Sequence, residues 1–262
     1  MLGKLMKYEF KATARMLLPL YGVLLVLSFI CKLFIGTNLE GTNMKVLGGI
    51  PAMMSMAAYG LTMTATIVVT LIIIIQRFYK NLLCDEGYLM NTLPVKVWKN
   101  ITSKLIIAIL WTIVSMGVAG ISIFIMAYKP GVINVIIDGF SQIFRDGYNE
   151  IGVSVYVIPI EVMILGLIQT ILGTITIYTA IAIGQLVNRR KILCSFGAFI
   201  VINMIINAVI GIITPIFLIA MEGASIASIN GWLILVCIIS IALAAGLFVA
   251  CNYILKNKLN LE

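Results

Sequence analysis

Six apolar stretches, each long enough to cross a bilayer, fill most of this 262-residue chain, and no other feature constrains its fold as strongly. They cover residues 16–36, 53–76, 105–128, 157–185, 194–221 and 232–255. An α-helix rises about 1.5 Å per residue, so about 20 apolar residues cover a hydrocarbon core of about 30 Å. Lipid tails offer no hydrogen bonds, so each span must satisfy its own backbone N–H and C=O groups, and a helix does this within one segment. The expectation is an all-α polytopic membrane protein with six transmembrane helices. No polar block is long enough to fold separately, so 1–262 reads as a single transmembrane domain.

The basic residues give that bundle an orientation. Lys4, Lys7, Lys11, Arg15, Arg77, Lys80, Lys96, Lys99, Lys104, Arg189, Arg190, Lys191, Lys256 and Lys258 all fall on one set of alternate connections. The opposite set holds only Lys32, Lys45, Lys129 and Arg145. Basic residues stay in the cytoplasm during insertion, so both termini are expected there, as an even number of spans requires. Most acids lean the other way: Glu40, Asp138, Asp146, Glu150, Glu161 and Glu222. The net charge of +8 therefore reports topology and contact with anionic lipid headgroups. It is not a nucleic-acid footprint, because the bases are dispersed with no aromatic platform among them.

Composition removes several function classes. With 62% hydrophobic and 11% charged residues, neither a soluble enzyme nor a disordered chain fits. Histidine is absent, and with it the commonest general base and metal ligand. The cysteines Cys31, Cys84, Cys194, Cys237 and Cys251 show no C-x-x-C spacing and scatter in depth, so they read as packing residues, with no shared metal site or disulfide expected. Neither G-x-x-x-x-G-K-[ST] nor G-x-G-x-x-G occurs, so any ATP used must be bound by another chain. The basic leader is long and no small-x-small cleavage site follows it, so the first apolar run is expected to remain as a span.

Residues 1–15 are expected to form an amphipathic helix at the membrane surface. Lys4, Lys7, Lys11 and Arg15 recur at helical spacing, with Leu2, Leu5, Met6 and Phe10 on much of the other side. Either it anchors on headgroups, or it docks on a cytoplasmic partner and leaves Tyr8 and Glu9 free for contacts. Pro19 reads as lying one turn inside the first span. In the second, Thr62, Thr64, Thr66 and Thr70 either bond back to their own helix, the commoner outcome, or line a path. Segment 77–104 is the most informative polar stretch. Asp85 and Glu86 stand among five bases, Gly87 permits a turn, Thr92 is an N-cap candidate, and Pro94 suits the first turn of a helix. Leu93, Val97, Trp98, Ile101 and Leu105 then run at helical spacing into the third span. A passive connection needs only a few residues, so this helix–turn–helix elbow implies a binding partner.

On the opposite side, Ile133, Ile136, Ile137, Phe140, Ile143, Phe144 and Tyr148 form an apolar stripe opposed by Asn134, Asp138, Gln142, Arg145 and Asn149, the pattern of a surface-lying amphipathic helix. Glu161 opens the fourth span; an ionisable group there is a candidate for a pathway, or is simply hydrated near the interface. Gly166, Gly173 and Gly184, and Ala242, Ala244, Ala245 and Gly246, offer close helix approach. Gly211 and Pro215 predict a kink in the fifth span.

The elbow also carries a resemblance. Phe78-Tyr79-Lys80-Asn81-Leu82, Asp85-Glu86-Gly87-Tyr88-Leu89 and Thr92-Leu93-Pro94-Val95, with Ser103-Lys104-Leu105 leading into the third span, resemble the bacterial ABC-2 type permeases, the membrane subunits of ATP-binding-cassette exporters. The layout of leader, six spans and long connection between spans two and three is similar over the whole chain. The resemblance implies a connecting helix using Lys7, Tyr8 and Glu9, and a coupling helix using Asp85, Glu86, Gly87, Tyr88, Leu89, Leu93 and Pro94 to dock on a separate cytoplasmic ATPase that binds the ATP. It further implies a second permease copy or homologue, the bacterial plasma membrane as the location, and an antimicrobial peptide, antibiotic or lipid as cargo. The connection at 222–231 is too short for the large outer domain of some relatives. A non-transporting scaffold or sensor, or a lipid-modifying enzyme, are the alternatives; the enzyme is disfavoured because no paired-acid metal motif is present.

Overall fold

The computed structural model describes residues 2–36, 45–83, 97–128, 131–187, 190–220 and 226–257. Among them run seven helices: α1 (Leu2–Gly36), α2 (Lys45–Leu83), α3 (Val97–Ala127), α4 (Val132–Ile151), α5 (Ser154–Gly184), α6 (Lys191–Ala220) and α7 (Ile226–Asn257). All but α4 are long and apolar enough to cross a membrane. The described residues are those of an all-helical membrane protein. It divides into two compact units, one of residues 1–76 and 106–137, the other of 77–105 and 138–262.

Several helices outrun the apolar stretches that announce them. The leader and first span form one unbroken helix, because nothing between Leu2 and Gly36 stops it. Pro19 therefore lies deep inside α1 rather than one turn from its start, and the Arg15 carbonyl loses the donor that residue 19 lacks. Helix α3 is described from Val97, so Val97, Trp98 and Ile101 ahead of the third span are a continuous part of it, as the periodicity predicts, while Leu93 and Pro94 lie outside the described residues. Pro215 likewise sits inside α6, which is a single helix through Gly211. Helix α4 forms where the amphipathic pattern places it, and its apolar residues Ile133, Ile136, Ile137, Phe140, Ile143 and Tyr148 are exposed.

The first unit is held by one buried face of each of its helices. On α1 that face is Glu9, Thr13, Leu17, Tyr21, Leu24, Ser28 and Cys31, recurring every three or four residues. Leu17 and Tyr21 pack with Ile73, Ile107 and Trp111, while Leu24 and Cys31 pack with Tyr59. Two tyrosine hydroxyls bond serines seven residues apart on α3: Tyr21 to Ser115 at 2.6 Å and Tyr59 to Ser122 at 2.8 Å. The four threonines of α2 all bond back to the carbonyl four residues earlier, at 2.7–2.9 Å. Thr70 also reaches Ser115 at 3.2 Å.

In the second unit, α5 packs on both α6 and α7. At Gly184 the backbones of α5 and α6 approach closely: a Cβ there would lie 2.7 Å from the Ser195 backbone nitrogen and 2.8 Å from its Cα, and would collide with its Oγ. Backbone cannot yield as a flexible side chain can. Gly166 and Gly173, expected to serve the same purpose, face open space. Replacing Gly184 by Leu should therefore destabilise the protein by about 1–3 kcal/mol or prevent folding, whereas Gly166→Ala and Gly173→Ala should be near neutral. Unfolding midpoints in one detergent compare the three; equal behaviour would refute the close-approach assignment.

Candidate functional site

Of the three leader residues, Lys7 and Tyr8 lie on the open side of α1, Tyr8 with 74% of its surface accessible. Glu9 does not share that position. It is 6% exposed, because it begins the buried stripe that continues through Thr13 and Leu17, and its carbonyl accepts the Thr13 hydroxyl at 2.9 Å. A partner docking on this helix meets Lys7 and Tyr8, not Glu9. Phe10, one residue on, stacks on Trp111 with ring centroids 5.0 Å apart.

Asp85, Glu86, Gly87, Tyr88, Leu89, Leu93 and Pro94 lie outside the described residues. The helix ends that flank them are well packed. Phe78, near the C-terminal end of α2, is fully buried and stacks on Tyr178 of α5, with ring centroids 3.9 Å apart and planes 10° from parallel. Such a pair adds about 0.5–1.5 kcal/mol beyond its area burial. Where α3 begins, Asn100, Ile101, Ser103 and Lys104 are all buried, and the Ser103 hydroxyl caps back to the Asn100 carbonyl at 2.9 Å. Both shoulders of the elbow thus belong to a packed core.

Glu161 lies on α5, on a face that meets α7. Two hydrogen bonds fix the register there: Gln169 Nε2 donates to Ser240 Oγ at 3.0 Å, and the Thr179 hydroxyl reaches the Leu247 carbonyl at 3.1 Å. Residue numbers rise together on both helices, so α5 and α7 run parallel. Their facing residues repeat in sevens. On α5 the rows are Glu161, Ile168, Ile175, Ala182 and Leu165, Leu172, Thr179; on α7 they are Asn230, Cys237, Ala244, Cys251 and Leu233, Ser240, Leu247. This is the period of a left-handed helix pair with interlocking side chains. The lower part is tightly closed: Leu172, Ile175, Thr179, Ala182, Ser240 and Cys251 are all buried.

The end of this seam that carries Glu161 is chemically unfinished. Glu161 Oε2 is buried with no hydrogen-bond partner, and so is Asn230 Oδ1. The Glu161 carboxyl lies close enough for its charge to act on the Cys237 thiol, two turns beyond Asn230. Asn230 escaped the sequence reading because it falls just ahead of the apolar run at 232–255. The exact sevenfold spacing from Asn230 to Cys237, Ala244 and Cys251 is the signal that would have found it. A further cross-link joins Trp232 Nε1 to Thr214 Oγ1 at 3.2 Å, tying α7 to α6.

Compared with protein-family models, with curated proteins and with solved structures, the chain has no match. If Gln169 and Ser240 act as a specific pair, a double-mutant cycle of Gln169→Leu and Ser240→Ala should return a coupling of about 0.6 kcal/mol and at most about 1.7 kcal/mol. Unfolding in mixed micelles measures it. Strict additivity would show that the bond contributes nothing to register.

Proposed function

We propose that this chain is the membrane-spanning subunit of an ATP-driven exporter, working as a pair of permease copies with a separate cytoplasmic ATPase. The observation that carries the reading is the elbow between α2 and α3, whose motif resembles the ABC-2 coupling segment and whose two shoulders are built into packed helices. A partner that pulls on the helix ends at Phe78 and Ile101 moves the packed helices to which they belong. The absence of a nucleotide-binding motif from the sequence fits a division of labour in which the motor is another chain.

Mechanistically, Asp85 and Glu86 present charge to the motor, Gly87 allows the turn, and Tyr88, Leu89, Leu93 and Pro94 supply the apolar contact. Lys7 and Tyr8 on the open side of α1 offer a second foothold. ATP binding and hydrolysis at the motor can shift the helices only if the elbow binds it differently in two states. The Phe78–Tyr178 stack passes that difference to α5, the helix that also bears Glu161. The chemistry of this chain is then mechanical: it positions helices and bonds no phosphate.

Affinity purification in mild detergent should recover a P-loop ATPase with the chain, and Glu86→Arg should abolish cargo-stimulated ATP hydrolysis in reconstituted vesicles while membrane insertion is kept. Recovery of the chain without any ATPase would favour a scaffold or sensor. The elbow must also face the cytoplasm: an impermeant thiol reagent should leave Cys84 unlabelled on intact cells and label it in inverted vesicles. Labelling on intact cells would overturn the orientation and the coupling role together.

A further inference from the structure

The two unpartnered oxygens on α5 and α7 belong to residues at one level of the seam. From Gln169 back to Glu161 is eight residues, about 12 Å of helix, and from Ser240 back to Asn230 is ten residues, about 15 Å. The second contact brackets the level from the other side: Glu161 to Thr179 spans about 27 Å and Asn230 to Leu247 about 26 Å. The two side chains therefore stand within about 3 Å of the same level, less than one turn apart. They also share a face. Glu161 and Thr179 are separated by five whole turns, and Asn230 leads the row that places Cys237 within reach of the Glu161 charge.

The surroundings leave this pair uncompensated. Leu165, Ile168, Leu233 and Val236 line the adjoining turns, and among the described residues no donor reaches Glu161 Oε2 or Asn230 Oδ1. Buried charges are paired with an opposite charge or hold a cation, because isolation in a low dielectric is costly. A single carboxylate beside a neutral amide oxygen balances one positive charge. A divalent ion would be left with an excess charge in apolar surroundings, and it prefers several carboxylates. We infer that Glu161 and Asn230 form an intramembrane site for one monovalent cation, held between the carboxylate and the amide oxygen near the N-terminal ends of α5 and α7. The same oxygen pair suits an alkali ion or the ammonium group of a larger molecule. This site does not rest on the transport reading, and the tests of the two are separate.

The experiment is thermal unfolding of the full chain in phosphatidylcholine nanodiscs at constant ionic strength. Choline chloride serves as the baseline, since it has no N–H and is bulky; sodium, potassium and methylammonium chlorides are the probes. Binding to the folded state raises the midpoint saturably, by about 3 °C at ten times the half-saturating concentration. A response to sodium or potassium alone identifies an inorganic ion. A response to methylammonium alone identifies an ammonium group, and a response to both identifies the shared chemistry. In each case Glu161→Gln and Asn230→Leu should lose it, while Gly166→Ala should retain it. Asn230→Leu decides the matter if Glu161→Gln fails to fold. No rise above the choline baseline, or a rise that survives in either variant, overturns the site.

Discussion

Hydrocarbon cannot donate or accept a hydrogen bond, and most of what this molecule does follows from that. Each long helix closes its own backbone, and the threonines of α2 close on it too, so that the hydroxyls of Thr62, Thr64, Thr66 and Thr70 are satisfied within their own helix. Apolar contact alone cannot choose a partner for such helices, because a lipid tail is as apolar as leucine. The selection falls to a few polar pairs. Tyr21 with Ser115 and Tyr59 with Ser122 align the first unit; Gln169 with Ser240 and Thr179 with Leu247 align α5 with α7. Each bond is modest, and Ser115, Ser122 and Thr179 also bond carbonyls of their own helices. A mismatched register would still leave the Tyr21 and Tyr59 hydroxyls and the Gln169 amide to find other partners in a medium that offers none.

The six spans were legible because length and apolarity act within one segment and need no knowledge of neighbours. Helix α4 was legible for a similar reason: Ile133, Ile136, Ile137 and Phe140 repeat with a helical period that depends only on local geometry. What the sequence could not disclose were the relations between segments. Gly166, Gly173 and Gly184 look equivalent on paper, yet only Gly184 meets a neighbouring backbone, at Ser195. Glu9 looks like a surface acid in a basic leader, but the stripe that buries it becomes visible only when α1 is followed through to Cys31 as one helix. Asn230 lay outside the apolar window altogether, and its period-seven relation to Cys237 and Cys251 was the available clue.

The two units distribute polarity differently. In the first, buried hydroxyls meet one another and are satisfied, although the Trp111 indole N–H is buried without a partner among the described residues. In the second, the lower part of the α5–α7 seam is satisfied in the same way, but its upper end leaves two oxygens with nothing to accept. Paired hydroxyls align helices, whereas two unpartnered oxygens at one level of a single seam leave acceptor capacity unused.

Helix α1 has a mechanical property of its own. It runs for 35 residues, about 52 Å, and its one missing backbone donor, Pro19, falls at its midpoint. Bending is concentrated where the ladder of hydrogen bonds is interrupted, so the rod resembles a beam with a central pivot and two equal arms. A swing of only 5° in one arm would carry its tip about 2 Å, the size of a side-chain step at a packed helix face. Whatever grips Lys7 and Tyr8 at one tip therefore moves that arm as a body, while the far arm past Pro19 can stay at rest.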